Sequence, residues 1–264
     1  MRRGACFFTV MLPLGAIAQS FTRAEAETFL SKASVTANRQ LYPGTTRITL
    51  DDGTRKHDAT VQNLDPDNAP QGEVYGLNIA AYELDKMLEL NLVVPSVERI
   101  VDGKPAVVTW WVDDRAMSEQ DRRKGKIEPP DPDLWNKQMQ AVRVFDELIS
   151  NTYRNINPDF YTTSLWDNLL ITPEWKIRLI DHKAAFRITR ELEHPESLTQ
   201  CDRTVLGKLR QMNKDALRQK LGKYLTPEQL DGLEARRGLL VRYFDELIAA
   251  RGPGAVLYDL PPRQ

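Results

Sequence analysis

Hydrophobic side chains recur at helical spacing in several long stretches of this chain. Apolar positions within 77–90 and 135–150 repeat every three to four residues, which predicts two amphipathic helices that each bury one face. Further helices are predicted at 198–212, 217–224 and 226–250. The last of these would begin at a Thr226 N-cap with Pro227 in its first turn. The C-terminal half of the chain is therefore predicted to be mostly helical.

Shorter apolar or alternating segments predict β-strands. Residues 47–50 and 59–62 flank the turn sequence Asp51-Asp52-Gly53, which is typical of a hairpin. A second hairpin is predicted where 168–171 and 175–180 are joined by a Thr-Pro-Glu turn. Two more strands are predicted at 93–99 and 107–112. Together with the helices, these strands predict an α+β protein.

The N-terminus has the pattern of a secretory signal peptide. Arg2 and Arg3 give a positive start, residues 5–14 are apolar, and small residues precede a cleavage point at Ala18. The apolar run is too short to favour a membrane-spanning helix. We therefore expect export to the periplasm or the extracellular space after cleavage near Ala18, with no membrane span in the mature chain. The alternative is an uncleaved amphipathic first helix.

Charge and cysteine content narrow the class of protein further. The 36 basic residues, less Arg2 and Arg3, face 37 acidic residues, so the mature chain has a formal charge of −3. This near balance argues against nucleic acid as the main partner. Cleavage would remove Cys6 and leave Cys201 alone, which excludes an internal disulfide in the mature chain.

Two oxygen ligands are predicted to meet at the second hairpin. Asn168 begins its first strand and Asp181 follows its second strand, so an amide oxygen and a carboxylate would lie at the same end of the hairpin. Hard oxygen ligands of this kind suit Mg²⁺ or Mn²⁺.

The phrase FDELISNTYRN, followed by WDNLLITPEWKIRLIDHKAAF, resembles the active-site segment of divergent protein-kinase-like proteins. Phosphatidylinositol 3- and 4-kinases, HipA-type bacterial kinases and secretory-pathway kinases share this outline. The resemblance implies a two-lobed protein-kinase-like fold with a small β-rich N-lobe and a larger, mostly helical C-lobe. It also implies that Asn168 and Asp181 bind Mg²⁺ or Mn²⁺ with ATP, and that Arg154 is the arginine of the catalytic loop.

Tyr153 stands where the resemblance places the catalytic aspartate. A phenol, with a pKa of about 10, is protonated at neutral pH and is a poor acceptor of a substrate proton. Asp159 or Asp167, in or beside an insertion at 155–167, would then replace the missing base. The alternative is that Asp159 lies in a surface turn and that Asp167 is a solvated charge at a strand edge.

The phrase NIAAYELDKMLELNLVVPSVER resembles the helix behind the nucleotide in the same superfamily and the strand that follows it. The lysine and glutamate that form an ion pair in active relatives are replaced by Gln62 and Asn78 in this alignment. Two amides can form a hydrogen bond without leaving a buried charge unpaired. Lys56 or Glu83 would serve instead if the register differs.

After the signal peptide at 1–18, the resemblance divides the chain into an N-lobe with a leading helix at 19–112, a linker at 113–134 and a helical C-lobe with the metal-binding hairpin at 135–264. The linker is predicted to be exposed because it is charged, lacks apolar periodicity and ends in a proline-rich run. Trp110 or Trp111 would line an adenine pocket at the end of the N-lobe, with core packing as the alternative.

Two functional classes follow from this sequence. The first is an exported kinase-like domain that binds nucleotide and a divalent metal, with weak or no phosphotransferase activity. The second is a catalytically inactive pseudokinase that serves as a scaffold for a protein partner.

Overall fold

The computed structural model describes residues 21–64, 74–151 and 166–261. The first lobe is built on an antiparallel sheet of five strands in the order β1-β2-β3-β5-β4. The strands are β1 (Ser34–Tyr42), β2 (Thr45–Asp51), β3 (Lys56–Asn63), β4 (Ser96–Val101) and β5 (Lys104–Trp110), and the helices are α1 (Arg23–Lys32) and α2 (Gly76–Leu88).

The β2–β3 hairpin forms where turn residues were predicted. The carboxylate of Asp52 accepts hydrogen bonds from the backbone of Thr54 and Arg55, and Gly53 takes a positive φ of 88° that glycine adopts without strain. Strand β1 was not predicted, because nearly all of its residues are exposed and it lacks a buried alternating face. It lies at the edge of the sheet.

The second lobe is mostly helical. Its helices are α3 (Glu119–Gly125), α4 (Pro132–Ile149), α5 (Arg203–Gln211), α6 (Lys214–Leu221), α7 (Pro227–Arg251) and α8 (Pro253–Val256). Its strands are β6 (Met117–Ser118), β7 (Leu169–Ile171), β8 (Ile177–Leu179), β9 (Cys201–Asp202) and β10 (Leu257–Tyr258). Helix α7 begins after the predicted Thr226 cap, whose side chain accepts from the backbone of Gln229, and it ends at Arg251 with Gly252 as its C-cap.

Helix α2 joins the cores of the two lobes. Its residues Leu84 and Leu88 pack in the main hydrophobic cluster with Phe145 and Leu148 of α4. Its Ile79 contacts Val107 of the sheet in a smaller cluster. A helix that is buried against both lobes holds its side chains at fixed positions between them.

The stretch predicted as an exposed linker, 113–134, is partly folded. It contains β6 and α3, and α3 begins with a capping box in which Ser118 and Asp121 exchange hydrogen bonds. Glu119 is fully buried because two arginines of the same helix pair with it. Glu119 thus pairs with Arg122 and Arg123, whereas other charged residues of the run, such as Lys124 and Glu128, are exposed as predicted.

The observed architecture confirms the predicted fold class. The chain is α+β, with a β-rich N-terminal part and a helical C-terminal part. Within the described ranges no helix is long and apolar enough to cross a membrane. The signal peptide predicted for 1–18 lies outside the described residues, so export stays a prediction. Cys201 is a buried free thiol, and burial raises its pKa.

Candidate functional site

A cleft of about 490 Å³ lies between the two lobes. Polar and apolar residues from both sides converge on it. They come from the sheet (Thr60, Gln62, Thr109), from α2 (Asn78), from the connection between the lobes (Trp111, Val112, Asp113, Arg115) and from the β7–β8 hairpin (Asp167, Leu170, Ile180, Asp181). Most of the candidate residues that fall in the described ranges therefore share one cavity.

The β7–β8 hairpin brings the two predicted metal ligands together. Antiparallel pairing of Leu169 with Leu179 places Asn168 beside the end of β8. The side-chain amide of Asn168 lies 3.5 Å from Asp181 Oδ2. Asp181 has a left-handed φ of 57°, which aspartate tolerates better than most residues. The backbone thus leaves the strand direction at the residue that carries the carboxylate.

The Asp181 carboxylate is incompletely satisfied. Its Oδ1 atom is buried and has no hydrogen-bond partner among the described residues. Its Oδ2 atom has two distant neighbours, the Asn168 amide and Lys183 Nζ at 3.6 Å. A buried carboxylate oxygen without a donor is costly unless a ligand satisfies it.

The donor set fits a hard divalent cation. Asp181 would supply a carboxylate oxygen, and rotation of the Asn168 amide would supply a second oxygen. No group of three or more His, Cys, Asp or Glu side chains at metal-binding distance is present in the described ranges. Two protein ligands are typical of Mg²⁺ sites, in which water and phosphate oxygens complete the coordination.

A chain of amide hydrogen bonds supports the loop that carries Asp181. Asn78 Nδ2 donates to Gln62 Oε1 at 3.0 Å, and Asn78 Oδ1 accepts from the backbone N–H of His182 at 2.7 Å. Gln62 Nε2 in turn donates to Thr45 Oγ1 at 3.2 Å. Gln62 and Asn78 are both buried. The N-lobe sheet is therefore linked through α2 to the residue next to Asp181.

The alternative residues for the Gln62–Asn78 positions form ion pairs elsewhere. Lys56 pairs with Asp51 in the β2–β3 hairpin, with 3.3 Å between Nζ and Oδ2. Glu83 pairs with Lys86 one turn along α2 at 2.8 Å. Neither Lys56 nor Glu83 lines the cleft. Gln62 and Asn78, the pair given by the first alignment, are in contact in the structure.

Asp167 lies in the wall of the cleft. It is exposed, and its Oδ1 accepts a hydrogen bond from Ser118 Oγ at 3.0 Å. Tyr153, Arg154 and Asp159 lie outside the described residues. A catalytic role for Arg154, Asp159 or Asp167 therefore stays a prediction.

The ring of Trp110 packs inside the N-lobe. It stacks on His57 with 3.5 Å between centroids and an interplanar angle of 17°, and it contacts Phe21 edge to face. Strand alternation puts this ring on the face of the sheet opposite to Gln62, because Trp110 pairs with Ala59 in the register. This geometry matches the core-packing alternative. An adenine contact by Trp110, which also borders the cleft, stays a prediction.

His57 lies on β3 of the sheet and contacts the connection between the two lobes. Its Nε2 lies 2.8 Å from the carbonyl oxygen of Trp111, and its Nδ1 lies 3.4 Å from Asp113. Burial lowers the pKa of His57, although the Trp111 carbonyl and Asp113 act in the opposite direction. The neutral imidazole is therefore the form that the fold favours.

Two hydrogen bonds beside the cleft were not predicted from the sequence. The bond from Ser118 to Asp167 joins residues 49 positions apart, and the bond from His182 to Asn78 joins residues 104 positions apart. One local signal was available, since Ser118 and Asp121 have the spacing of a capping box and would have predicted α3.

The sequence matches no family model and no curated protein. The structure is similar to the crystal structure of the Helicobacter pylori proinflammatory kinase CtkA, with a TM-score of 0.47 and 11% sequence identity. The match covers 83% of this chain and 93% of that one. Similarity at this level leaves the residues of the cleft as the evidence for function.

Proposed function

We propose that this chain is a kinase-like domain whose cleft binds a nucleotide together with Mg²⁺ or Mn²⁺, and that its phosphotransferase activity is weak or absent. The observation that carries this proposal is the buried Asp181 Oδ1, which has no hydrogen-bond partner among the described residues and belongs to a residue that lines the cleft. A divalent cation would satisfy this oxygen.

The residues of the cleft suggest how binding would work. Asn168 and Asp181 would hold the ion, and the ion would neutralise and orient phosphate groups when bound. Asn78 would keep the Asp181 loop in place through its bond to the backbone of His182. The apolar part of the cavity, which includes Leu170 and Val112, would exclude water from the base.

Weak activity follows from the neutral residues in the cleft. Gln62 and Asn78 form an uncharged pair, so Gln62 brings no positive charge to the phosphate groups. Tyr153 occupies the aligned position of the catalytic base, and Asp167 is a solvent-exposed carboxylate. The same uncharged pair favours a second candidate function, an inactive scaffold that binds a protein partner.

Thermal unfolding with Mn²⁺ and ADP tests the binding proposal. A ligand that binds only the folded state must raise the unfolding midpoint, so we expect a rise in the wild type that is lost in Asp181→Ala. Asp245→Ala is a matched control, because Asp245 is a surface residue of α7 outside the cleft. An unchanged rise in Asp181→Ala would place the ligand elsewhere, and the absence of any rise in the wild type would favour the scaffold.

Export is part of the same proposal. Cleavage near Ala18 would release a mature chain that begins close to Gln19. N-terminal sequencing of protein recovered outside the cytoplasm should therefore begin within a few residues of Gln19. Recovery of the intact chain from the cytoplasm would contradict this prediction.

A further inference from the structure

A second cavity, which we call the rear cavity, lies on the other side of the connection between the lobes from the cleft. Its volume is about 740 Å³, and residues of α1, the β2–β3 hairpin, the segment after α2, the connection and the β7–β8 hairpin line it. The lining includes apolar Val93, Pro95 and Trp110, and charged Asp114, Lys176 and Arg178. A cavity of this volume is in the range that binds small organic molecules.

Strand alternation places the rear cavity and the cleft on opposite faces of the N-lobe sheet. His57 borders the rear cavity, whereas Thr60 and Gln62 of the same strand border the cleft. Residues an odd number of positions apart in a strand point to opposite faces. Val112 and Asp113 of the connection border both cavities. A molecule in the rear cavity would therefore leave the cleft open to a nucleotide.

Two cations in the wall of the rear cavity have no acidic partner. Lys176 and Arg178 are two positions apart, so their side chains lie on one side of the hairpin, and Ile177 between them is buried on the other side. No carboxylate lies within 4.0 Å of the side-chain nitrogens of either residue in the ranges that the structure describes. Two neighbouring positive charges repel each other, so an anion beside them would be favourable.

The backbone holds the guanidinium of Arg178 in place. Its Nη1 donates to the carbonyl oxygens of Asn91 at 3.2 Å and Ile177 at 3.4 Å. Its Nε and Nη2 have no acceptor among the described residues. These two donors lie side by side in the guanidinium plane, which is the arrangement that binds a carboxylate through two hydrogen bonds.

The other basic residues of the wall have acidic partners that lie outside its lining. The pairs are Arg23 with Asp85 at 2.5 Å, Arg55 with Glu25 at 3.4 Å and Lys56 with Asp51 at 3.3 Å. The chain thus supplies counter-ions for three cations of the wall and leaves Lys176 and Arg178 without them.

Asp114 brings a carboxylate without a partner to the same cavity. It is exposed on the connection, and its side chain forms no ion pair or hydrogen bond with any residue that the structure describes. Burial lowers the pKa of Arg178, and the charge of Asp114 acts in the opposite direction. Asp114 nevertheless lies more than 4.0 Å from the guanidinium. The two opposite charges therefore line one cavity without a direct contact.

The other two acidic residues of the lining already have partners. Asp113 lies 3.4 Å from His57 Nδ1 and 3.6 Å from Arg47 Nη2. The carboxylate of Glu174 is hydrogen-bonded by its own backbone N–H and by Thr172, and these bonds lower its pKa. Asp114 is thus the acidic residue of the lining that is available to a cationic group.

We propose that the rear cavity binds a short apolar peptide with free ends. The peptide carboxylate contacts Lys176 and Arg178, its ammonium group contacts Asp114, and its side chains pack against Val93 and Pro95. A ligand with both charges satisfies both unpaired sides of the cavity, and its apolar body covers the wall between them. This site does not rest on the proposed function, because these residues neither line the cleft nor hold the metal.

Trileucine is the probe for the first test. Its dissociation constant is measured by calorimetry without metal or nucleotide, beside those of N-acetyltrileucine and trileucine amide, each of which lacks one charge. We expect saturable binding of trileucine and dissociation constants about fivefold to tenfold higher for the two capped peptides, as one charge-assisted contact is lost in each. No saturable binding of trileucine would overturn the proposal, as would equal binding of all three peptides.

Variants assign each end of the peptide to its partner. Asp114→Asn should bind trileucine and N-acetyltrileucine about equally, because the carboxylate that contacts the ammonium group is lost. Arg178→Met should likewise reduce the difference between trileucine and its amide. Lys176→Met is a second variant in case Arg178→Met does not fold, because Lys176 is exposed. Unchanged discrimination between the peptides in these variants would overturn the proposal.

Matched controls separate the site from a general effect of charge. Asp215→Asn and Lys220→Met change exposed residues of α6 outside the rear cavity. Both should bind the three peptides as the wild type does. Effects as large as those of Asp114→Asn and Lys176→Met would assign the discrimination to net charge and overturn the proposal.

Mn²⁺ and ADP separate the rear cavity from the cleft. Asp181→Ala should keep trileucine binding, and saturating Mn²⁺ and ADP should not displace trileucine from the wild type. Loss of peptide binding in either experiment would place the peptide in the cleft and overturn the proposal. Failure of the proposed function is thus seen in thermal unfolding with Mn²⁺ and ADP, and failure of this inference is seen in the peptide titration.

Discussion

Two aspartates of this chain differ in how far the protein itself satisfies them. Asp85 of α2 is completely buried, and it accepts hydrogen bonds from the backbone of Leu92 at 2.9 Å and of Val93 at 3.2 Å. It also pairs with Arg23 at 2.5 Å. Asp181 keeps a buried Oδ1 without a partner among the described residues, and its other oxygen has neighbours at 3.5 Å and 3.6 Å.

This difference distinguishes a carboxylate that stabilises the fold from a carboxylate that is available to bind a ligand. Where a buried carboxylate serves the fold, the chain supplies donors and a cation from its own residues. Where a carboxylate binds a ligand, an oxygen without a donor leaves room for the ligand to supply the missing contact. Asp85 follows the first pattern and Asp181 follows the second.

Removing each carboxylate in turn should give the largest difference in unfolding free energy between the two aspartates. Asp85→Ala should lower the free energy of unfolding by about 3 kcal/mol or more, because it leaves Arg23 and two buried backbone donors without their acceptor. Asp181→Ala should lower it by no more than about 1–2 kcal/mol when no ligand is present, mainly because alanine tolerates the left-handed φ of this position less well than aspartate. Urea unfolding of both variants measures these values. A loss in Asp181→Ala as large as that in Asp85→Ala would assign Asp181 to the fold.

The amide chain should give an intermediate effect. Asn78→Ala should cost about 1–3 kcal/mol, because it leaves the backbone N–H of His182 without an acceptor in a buried place. Gln62→Ala should cost less, since the bond between Asn78 and His182 remains. The rise in unfolding temperature with Mn²⁺ and ADP should fall in Asn78→Ala and persist in Gln62→Ala. Equal behaviour of the two variants would show that Asn78 does not position the Asp181 loop.

A histidine beside a third aspartate should add a small effect of pH. Asp113 lies beside His57, whose pKa is nevertheless lowered by burial, so the folded state favours the neutral ring. Below the unfolded pKa of about 6.5 the unfolded chain binds the proton more readily, and stability should fall as the pH decreases toward the folded pKa. The slope in this window should not exceed about 1.4 kcal/mol per pH unit.

The variant His57→Gln measures this contribution directly. It removes the titrating ring but keeps a side-chain donor near the carbonyl oxygen of Trp111. We expect a flatter dependence of unfolding free energy on pH between about 6.5 and the lower folded pKa. An unchanged slope would assign the pH dependence to other groups.

Local patterns were sufficient for much of the fold. The 3.6-residue spacing of apolar positions predicted α2 and α4, and the Thr226 cap with Pro227 predicted α7. The turn residues around Gly53 and Pro173 predicted both hairpins. Strand β1 escaped prediction because it has no buried face, and α3 escaped because its charged residues pair with one another within a single helix. The periodicity of apolar residues reflects burial, so it does not predict helices or strands that lack a buried apolar face.

The sequence by itself determined the α+β class and the juxtaposition of Asn168 with Asp181, because both depend on spacing within a helix or a hairpin. Only the tertiary structure decided which atoms in the cleft have partners. The bond between Asn78 and His182 and the unsatisfied Oδ1 of Asp181 arise between elements that are distant along the chain. Such contacts depend on how helices and strands pack together, and local sequence patterns do not determine that packing.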